Sequence, residues 1–288
     1  MDRARFSPPT SAGSGWAASL ALHFAARGPR SVLAGNRHRG PLRVQKALYP
    51  EGEAVCQAIV LHPPSGIAGG DQLAIEVTVD RHAHAQLTTP GAGKWYRSDG
   101  AEATQRIDLR VGEGATLEWL PQESIVFDGA RARTATRVSL AADSRFIGWD
   151  MLCLGRAASG ERFSQGRVEL LCRVDRGKAP LWLERGAFAG ADPMLASPAG
   201  WAGRTVCGTL LCSFPELPQH AAGLLAALRA LTPPDGALHG ISVLPGVLIA
   251  RYLGDNAEAG RQWLTALWQI LRPACCGRPA VVPRIWNT

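Results

Sequence analysis

The chain has 288 residues, 46% hydrophobic and 19% charged, which is enough apolar content to bury a sizeable core and too much for a disordered chain. Its 31 basic and 24 acidic residues leave a net charge of +7, and only Lys46, Lys94 and Lys178 are lysines, so 28 positive charges are arginine. With 32 glycines, 20 prolines and no run of about 20 apolar residues, the composition excludes a coiled coil, a collagen, a basic tail and a helical membrane protein.

Residues 1–14 read as a flexible leader, because Pro8, Pro9 and a Ser/Gly stretch separate Arg3 and Arg5 from the apolar run that follows. A strand begins at Trp16, where Trp16, Ala18, Leu20, Leu22 and Phe24 alternate with smaller or polar residues. The same period of two recurs in Leu73, Ile75, Val77 and Val79, in Ile107, Leu109 and Val111, and in Val168, Leu170, Cys172 and Val174. Turn signals separate these runs: Gly69-Gly70-Asp71, Ser98-Asp99-Gly100, Asp128-Gly129 and Asp175-Arg176-Gly177. Residues 218–231 carry Leu224, Leu225, Leu228 and Leu231 at helical spacing before Pro233-Pro234. Residues 241–244 and 247–253 form a strand pair around Pro245-Gly246. A second helix is expected over 255–271, capped by Asp255 and Glu258, with Trp263, Leu264, Leu267, Trp268 and Leu271 on one face and a stop at Pro273.

The pattern predicts a mainly β protein: one domain over 15–288, of many short strands, with two α-helices near the C-terminus. No internal repeat of fixed period is visible, which argues against a regular solenoid.

Seven cysteines (Cys56, Cys153, Cys172, Cys207, Cys212, Cys275 and Cys276), an odd number without C-x-x-C spacing, point to a reduced, cytoplasmic protein. Cys153 and Cys172, inside apolar runs, are expected to be buried thiols, and the Cys275-Cys276 pair is expected to be peripheral. Pro90-Gly91-Ala92-Gly93-Lys94 fails as a phosphate loop, since Thr88 and Trp95 stand where a glycine and a Ser or Thr are required. Its glycines are expected to serve a sharp turn with positive φ. His82 and His84 have strand spacing for a shared metal, but no carboxylate or thiol beside them completes a ligand set, so a solvated strand face is the better reading. Glu118 and Glu123 suggest an alternative, a β-solenoid hydrolase or lyase with paired carboxylates, although such pairs are more often salt-bridged. The arginines are spread along the chain and interrupted by acids, which argues against nucleic-acid binding and suits protein interfaces.

Five segments in order carry a more specific signal. They are His62-Pro63-Pro64-Ser65-Gly66-Ile67-Ala68-Gly69-Gly70-Asp71, then 87–98 around Pro90-Gly91-Ala92-Gly93-Lys94-Trp95, then 117–130 with Trp119-Leu120-Pro121-Gln122-Glu123, then Gly148-Trp149-Asp150-Met151-Leu152-Cys153, and the tail Pro283-Arg284-Ile285-Trp286. From about residue 16 onward this set resembles the urease accessory protein family UreD, also called UreH. Two departures are Ser65, where a glycine is expected, and Gly93, where a bulkier polar residue is expected.

The resemblance implies a stacked, helix-like β architecture and a non-enzymatic maturation chaperone. Such a scaffold binds apo-urease with UreF and the GTPase UreG and delivers nickel, without membrane or nucleic acid. It also implies an internal tunnel for transient nickel(II), with no tightly bound cofactor. Nickel(II) accepts imidazole, carboxylate and water, and a conduit must bind weakly enough to release. Acids in apolar or glycine-rich runs are then the candidates: Asp71, Glu123, Asp128, Asp150 and Glu184, with His62 as an entry ligand. The competing reading for each is a turn cap or a buried salt bridge.

Overall fold

The computed structural model describes residues 15–287; the expected leader lies outside the described residues. A hairpin of β1 (Ala17–Arg27) and β2 (Arg30–Arg39) opens the fold, and β3 (Cys56–Ile59) crosses to a second sheet. The chain then alternates between sheets through β4 (Gln72–Val79), β5 (His84–Thr88) with short β6 (Gly93–Trp95), β7 (Ala103–Val111) and β8 (Thr116–Leu120) with short β9 (Ser124–Val126). It continues through β10 (Arg131–Leu140), β11 (Arg145–Leu154), the hairpin β12 (Arg167–Arg176) and β13 (Ala179–Ala189), and β14 (Val206–Ser213). Helix α1 (Leu217–Arg229), the hairpin β15 (Leu238–Leu244) and β16 (Val247–Gly254), and helix α2 (Ala257–Cys276) complete it.

Strands β1, β4, β7, β10 and β12 stack parallel in the first sheet, and β3, β5, β8 and β11 in the second, a β-solenoid of about 4 turns. Regularity was not expected from the sequence, and the reason is spacing. The stacked strands of the first sheet begin at residues 17, 72, 103, 131 and 167, so no two turns share a length and no period emerges.

Alternation decides what enters the lumen between the sheets. One inward row runs through register partners Leu20, Ile75, Ile107, Thr136, Cys172 and Glu184, from β1 to β13. The first three are buried aliphatics, each contributing about 1.5–3 kcal/mol by leaving water. The last three are polar. The lumen is therefore aliphatic in the early turns, and in the last it sets a few polar side chains among aromatic and aliphatic ones.

Outside the second sheet, the predicted face of α2 packs as expected: Trp263, Leu264, Leu267, Trp268 and Leu271 are all buried, as are Leu224 and Leu228 of α1. Two details of α2 differ from expectation. Asn256, not Asp255, caps it by accepting from the Ala259 amide, while Asp255 binds Arg204 and Thr205. The helix also runs through Pro273 to Gly277, where φ is 66°, because a proline this close to the end removes a single ladder bond while Arg272 anchors the turn in the interior. Gly91 and Gly93 do not have positive φ either; Gly93 starts β6 and donates to the Glu123 carbonyl at 2.8 Å.

Ser65 does have positive φ, 64°, which explains why glycine was expected there. Gly166, at φ 97°, is pressed between two turns, where a Cβ would stand 2.2 Å from the Ala130 carbonyl oxygen. Gly166→Ala is expected to lower stability by about 3 kcal/mol, read from the denaturant midpoint.

Candidate functional site

The polar end of the lumen holds a cavity of about 80 Å³, room for several waters. Thr134 and Thr136 of β10, Asp150 of β11, Cys172 of β12, Glu184 of β13, and Cys207 and Thr209 of β14 line it beside Trp119, Phe146 and Leu211. Asp150 and Glu184 come from strands of opposite sheets and are brought together by stacking alone. Glu184 and Cys207 also line an outer groove with Met194, Leu238 and Arg251, so the cavity meets the surface there.

Asp150 is densely surrounded by protein atoms yet keeps accessible surface, on the wall of the cavity. Burial, then the neighbouring charge of Glu184, pushes its carboxyl up to about 6 against the Met151 amide, which favours the anion. Glu184 is paired with Arg251, which stacks 5.4 Å from the Trp182 ring. Burial raises the Cys172 thiol to about 12 and the Cys207 thiol to about 11, so both are neutral thiols at physiological pH. The chamber thus offers two carboxylates, two protonated thiols and three hydroxyls, a set able to solvate a divalent cation without caging it.

The other expected residues lie elsewhere. Asp71 is buried at the entrance of β4, accepting from the Trp16 and Ala68 amides at 2.8 Å each, so both oxygens serve the backbone. His62 lies beside it, its basicity lowered by burial in spite of that carboxylate. Asp128 accepts from the amides of Ser164 and Gln165 and from the Ser164 hydroxyl, clamping two loops as a turn cap. Burial alone would raise its carboxyl, but these donors and Arg97 hold it low. Glu123 precedes β9, with Arg261 3.9 Å away and its Oε2 buried without a hydrogen bond. Stacking therefore gathers Asp150 and Glu184 and separates them from Asp71, His62 and Asp128.

A buried ionic network was not anticipated. Glu118, 0% exposed, accepts from His84 Nε2 at 2.8 Å, Trp268 Nε1 at 2.7 Å and Arg272 Nε at 2.9 Å. Arg272, also 0% exposed, spans Glu51 with both terminal nitrogens and donates to the Pro279 carbonyl. Burial would raise the Glu118 carboxyl, but His84 and Arg272 outweigh it and hold it at about 2. An acid–base role with Glu123 finds no support here, since every lone pair of Glu118 faces a donor and no solvent reaches it.

His82 and His84 do not share a face: His82 sits in a turn at φ 61°, and His84 is buried at the start of β5. Cys172 is half-buried on the cavity, not in a closed core. Cys275 is not peripheral, because the longer α2 carries it into the core near the thiols of Cys212 and Cys276, while Cys276 is half-buried.

Residues 17–287 match the family described as UreD urease accessory protein. The chain is 72% identical over 273 residues, 95% of each chain, to the urease accessory protein UreD of Dechloromonas aromatica strain RCB. It is 51% identical to UreD of Azoarcus sp. strain BH72, over 95% of each chain, and 50% identical to that of Nitrosococcus oceani, over 95% of this chain and 90% of the relative. The chain belongs to the UreD family of urease accessory proteins.

Proposed function

We propose that this chain acts in urease maturation as a scaffold that binds apo-urease together with UreF and the GTPase UreG, and that nickel(II), as cargo, passes through the polar end of its lumen. The observation that carries this reading is the inward row that turns from Ile107 to Thr136, Cys172 and Glu184, opposite Asp150. A purely structural core has no reason to forgo aliphatic burial there and to keep a carboxyl with its pKa at about 6. Weak donors suit a conduit: Asp150 exchanges its proton near neutrality, the thiols stay protonated, and Arg251 already occupies Glu184. The seven free cysteines accord with a reducing cytoplasm, and among the described residues no helix is long and apolar enough to cross a membrane.

The test replaces this chain in a co-expressed urease cluster by the Asp150→Asn/Glu184→Gln double variant. Urease nickel content and activity are expected to fall about tenfold or more, while UreF and UreG still co-purify with the variant. Full nickel loading by the double variant would rule out the conduit. Loss of co-purification in the wild-type chain would rule out the scaffold.

A further inference from the structure

On the face of the second sheet turned away from the lumen lies a cluster with no part in the proposed conduit. Gln57, Gln86 and Glu118 are register partners across β3, β5 and β8, and α2 covers this row. One ligand atom from each of His84, Glu118 and Cys276 lies within 4.8 Å of the others. We propose that His84, Glu118 and Cys276 form a binding site for a single divalent ion of the zinc type, which ties the last turn of α2 to the sheet.

The donor set is the first argument. Imidazole, carboxylate and thiolate together select a borderline ion such as zinc, with bonds of about 2.0–2.3 Å. Ligand atoms around such an ion stand about 3–4 Å apart, so the observed cluster needs movements of about an ångström. The His84–Glu118 hydrogen bond, 2.8 Å, is the contact the ion replaces.

Charge is the second argument. With His84 neutral, as a metal ligand must be, the buried carboxylates of Glu118 and Glu51 exceed Arg272 by one negative charge. A divalent ion bound with Cys276 as thiolate brings that sum to zero, and the thiol proton leaves to solvent as the sulfur–metal bond forms. Access is the third: Glu118 is closed, but Cys276 is half-buried at the end of α2 and gives an entry path. The guanidinium of Arg272 keeps Glu51 and the far oxygen of Glu118, so the helix anchor is retained.

Cobalt(II) titrated into the metal-free, full-length chain is the test, because cobalt–thiolate bonds absorb in the near ultraviolet. One cobalt per chain with that band is expected, displaced by zinc(II). Affinity should rise about tenfold per pH unit as the thiol proton is released. Cys276→Ser should abolish the band, and His84→Gln should weaken binding about tenfold or more. Asp150→Asn should leave the band intact. Zinc should also raise the melting temperature of the wild-type chain and not that of Cys276→Ser. A band that survives Cys276→Ser, a band lost in Asp150→Asn, or no stoichiometric cobalt binding would overturn the site. Failure of the lumen reading instead shows in urease nickel content and does not move the cobalt band.

Discussion

Arg272→Met is expected to lower the unfolding free energy by about 3–5 kcal/mol, the usual consequence of removing one partner from a buried ion pair. The guanidinium is 0% exposed and holds two carboxylates, Glu118 and Glu51, which the variant leaves buried without it, Glu118 keeping only its His84 and Trp268 contacts. Methionine fills much of the same volume, so the loss reports on charge more than on packing. Arg272→Lys should fall between, since an ammonium keeps the charge but cannot span Glu51 with two nitrogens.

The pH dependence carries a sign. Glu118 is held at about 2, below its unfolded value near 4.5, so its stabilisation is present above that value and is lost as pH falls from about 4.5 towards 2. In Arg272→Met the two buried carboxylates shed charge only by taking up protons. The folded chain then binds more protons than the unfolded one, and stability falls as pH rises. Guanidinium midpoints at pH 5 and pH 7 check this: the variant should be relatively better off at pH 5. A double variant with Glu118→Gln should recover part of the loss, since the orphaned charge is gone. An Arg272→Met chain as stable as the wild type at pH 7 would show that water or rearrangement solvates the network, contrary to its burial.

The contrast between Arg272 and the candidate acids shows what was legible beforehand. Alternation identified the inward faces of β4, β7 and β12, and helical spacing identified the buried stripe of α2, because both are local consequences of backbone geometry. Arg272 lies on that stripe, four residues after Trp268, and a charge on an apolar face signals a buried partner. Reading Pro273 as a stop hid it, and nothing local points to Glu118, 154 residues away. The acids show the same limit. Asp71, Asp128 and Asp150 each sit in a glycine-rich or apolar run, yet two cap turns and one faces the lumen. That difference arises from stacking register, which brings β11 opposite β12 and β13, and uneven turn lengths conceal that register in the sequence.

Asp150→Asn is expected to act in opposite directions on stability and on function. The wild-type carboxyl has its folded pKa raised to about 6, from an unfolded value near 3.8. Below the unfolded value the group is protonated in both states and costs nothing. Stability then falls as pH rises from about 4 to about 6, and the full penalty persists above that. Because cavity water screens the charge, the penalty is about 1 kcal/mol, less than the shift alone implies. Asparagine keeps the shape without the charge, so Asp150→Asn should be about 1 kcal/mol more stable than wild type at pH 7.5 and equal to it at pH 4. The same substitution removes the lumen carboxylate that has no salt-bridge partner among the described residues, and urease activation should decline. A residue retained for packing would lose stability when changed; one retained for a cation path gains it and loses function. Denaturant midpoints at the two pH values, beside nickel content of co-expressed urease, separate these cases. A destabilised Asp150→Asn chain would assign the carboxylate to the core, whereas a stabilised chain that fails to load nickel would assign it to the path.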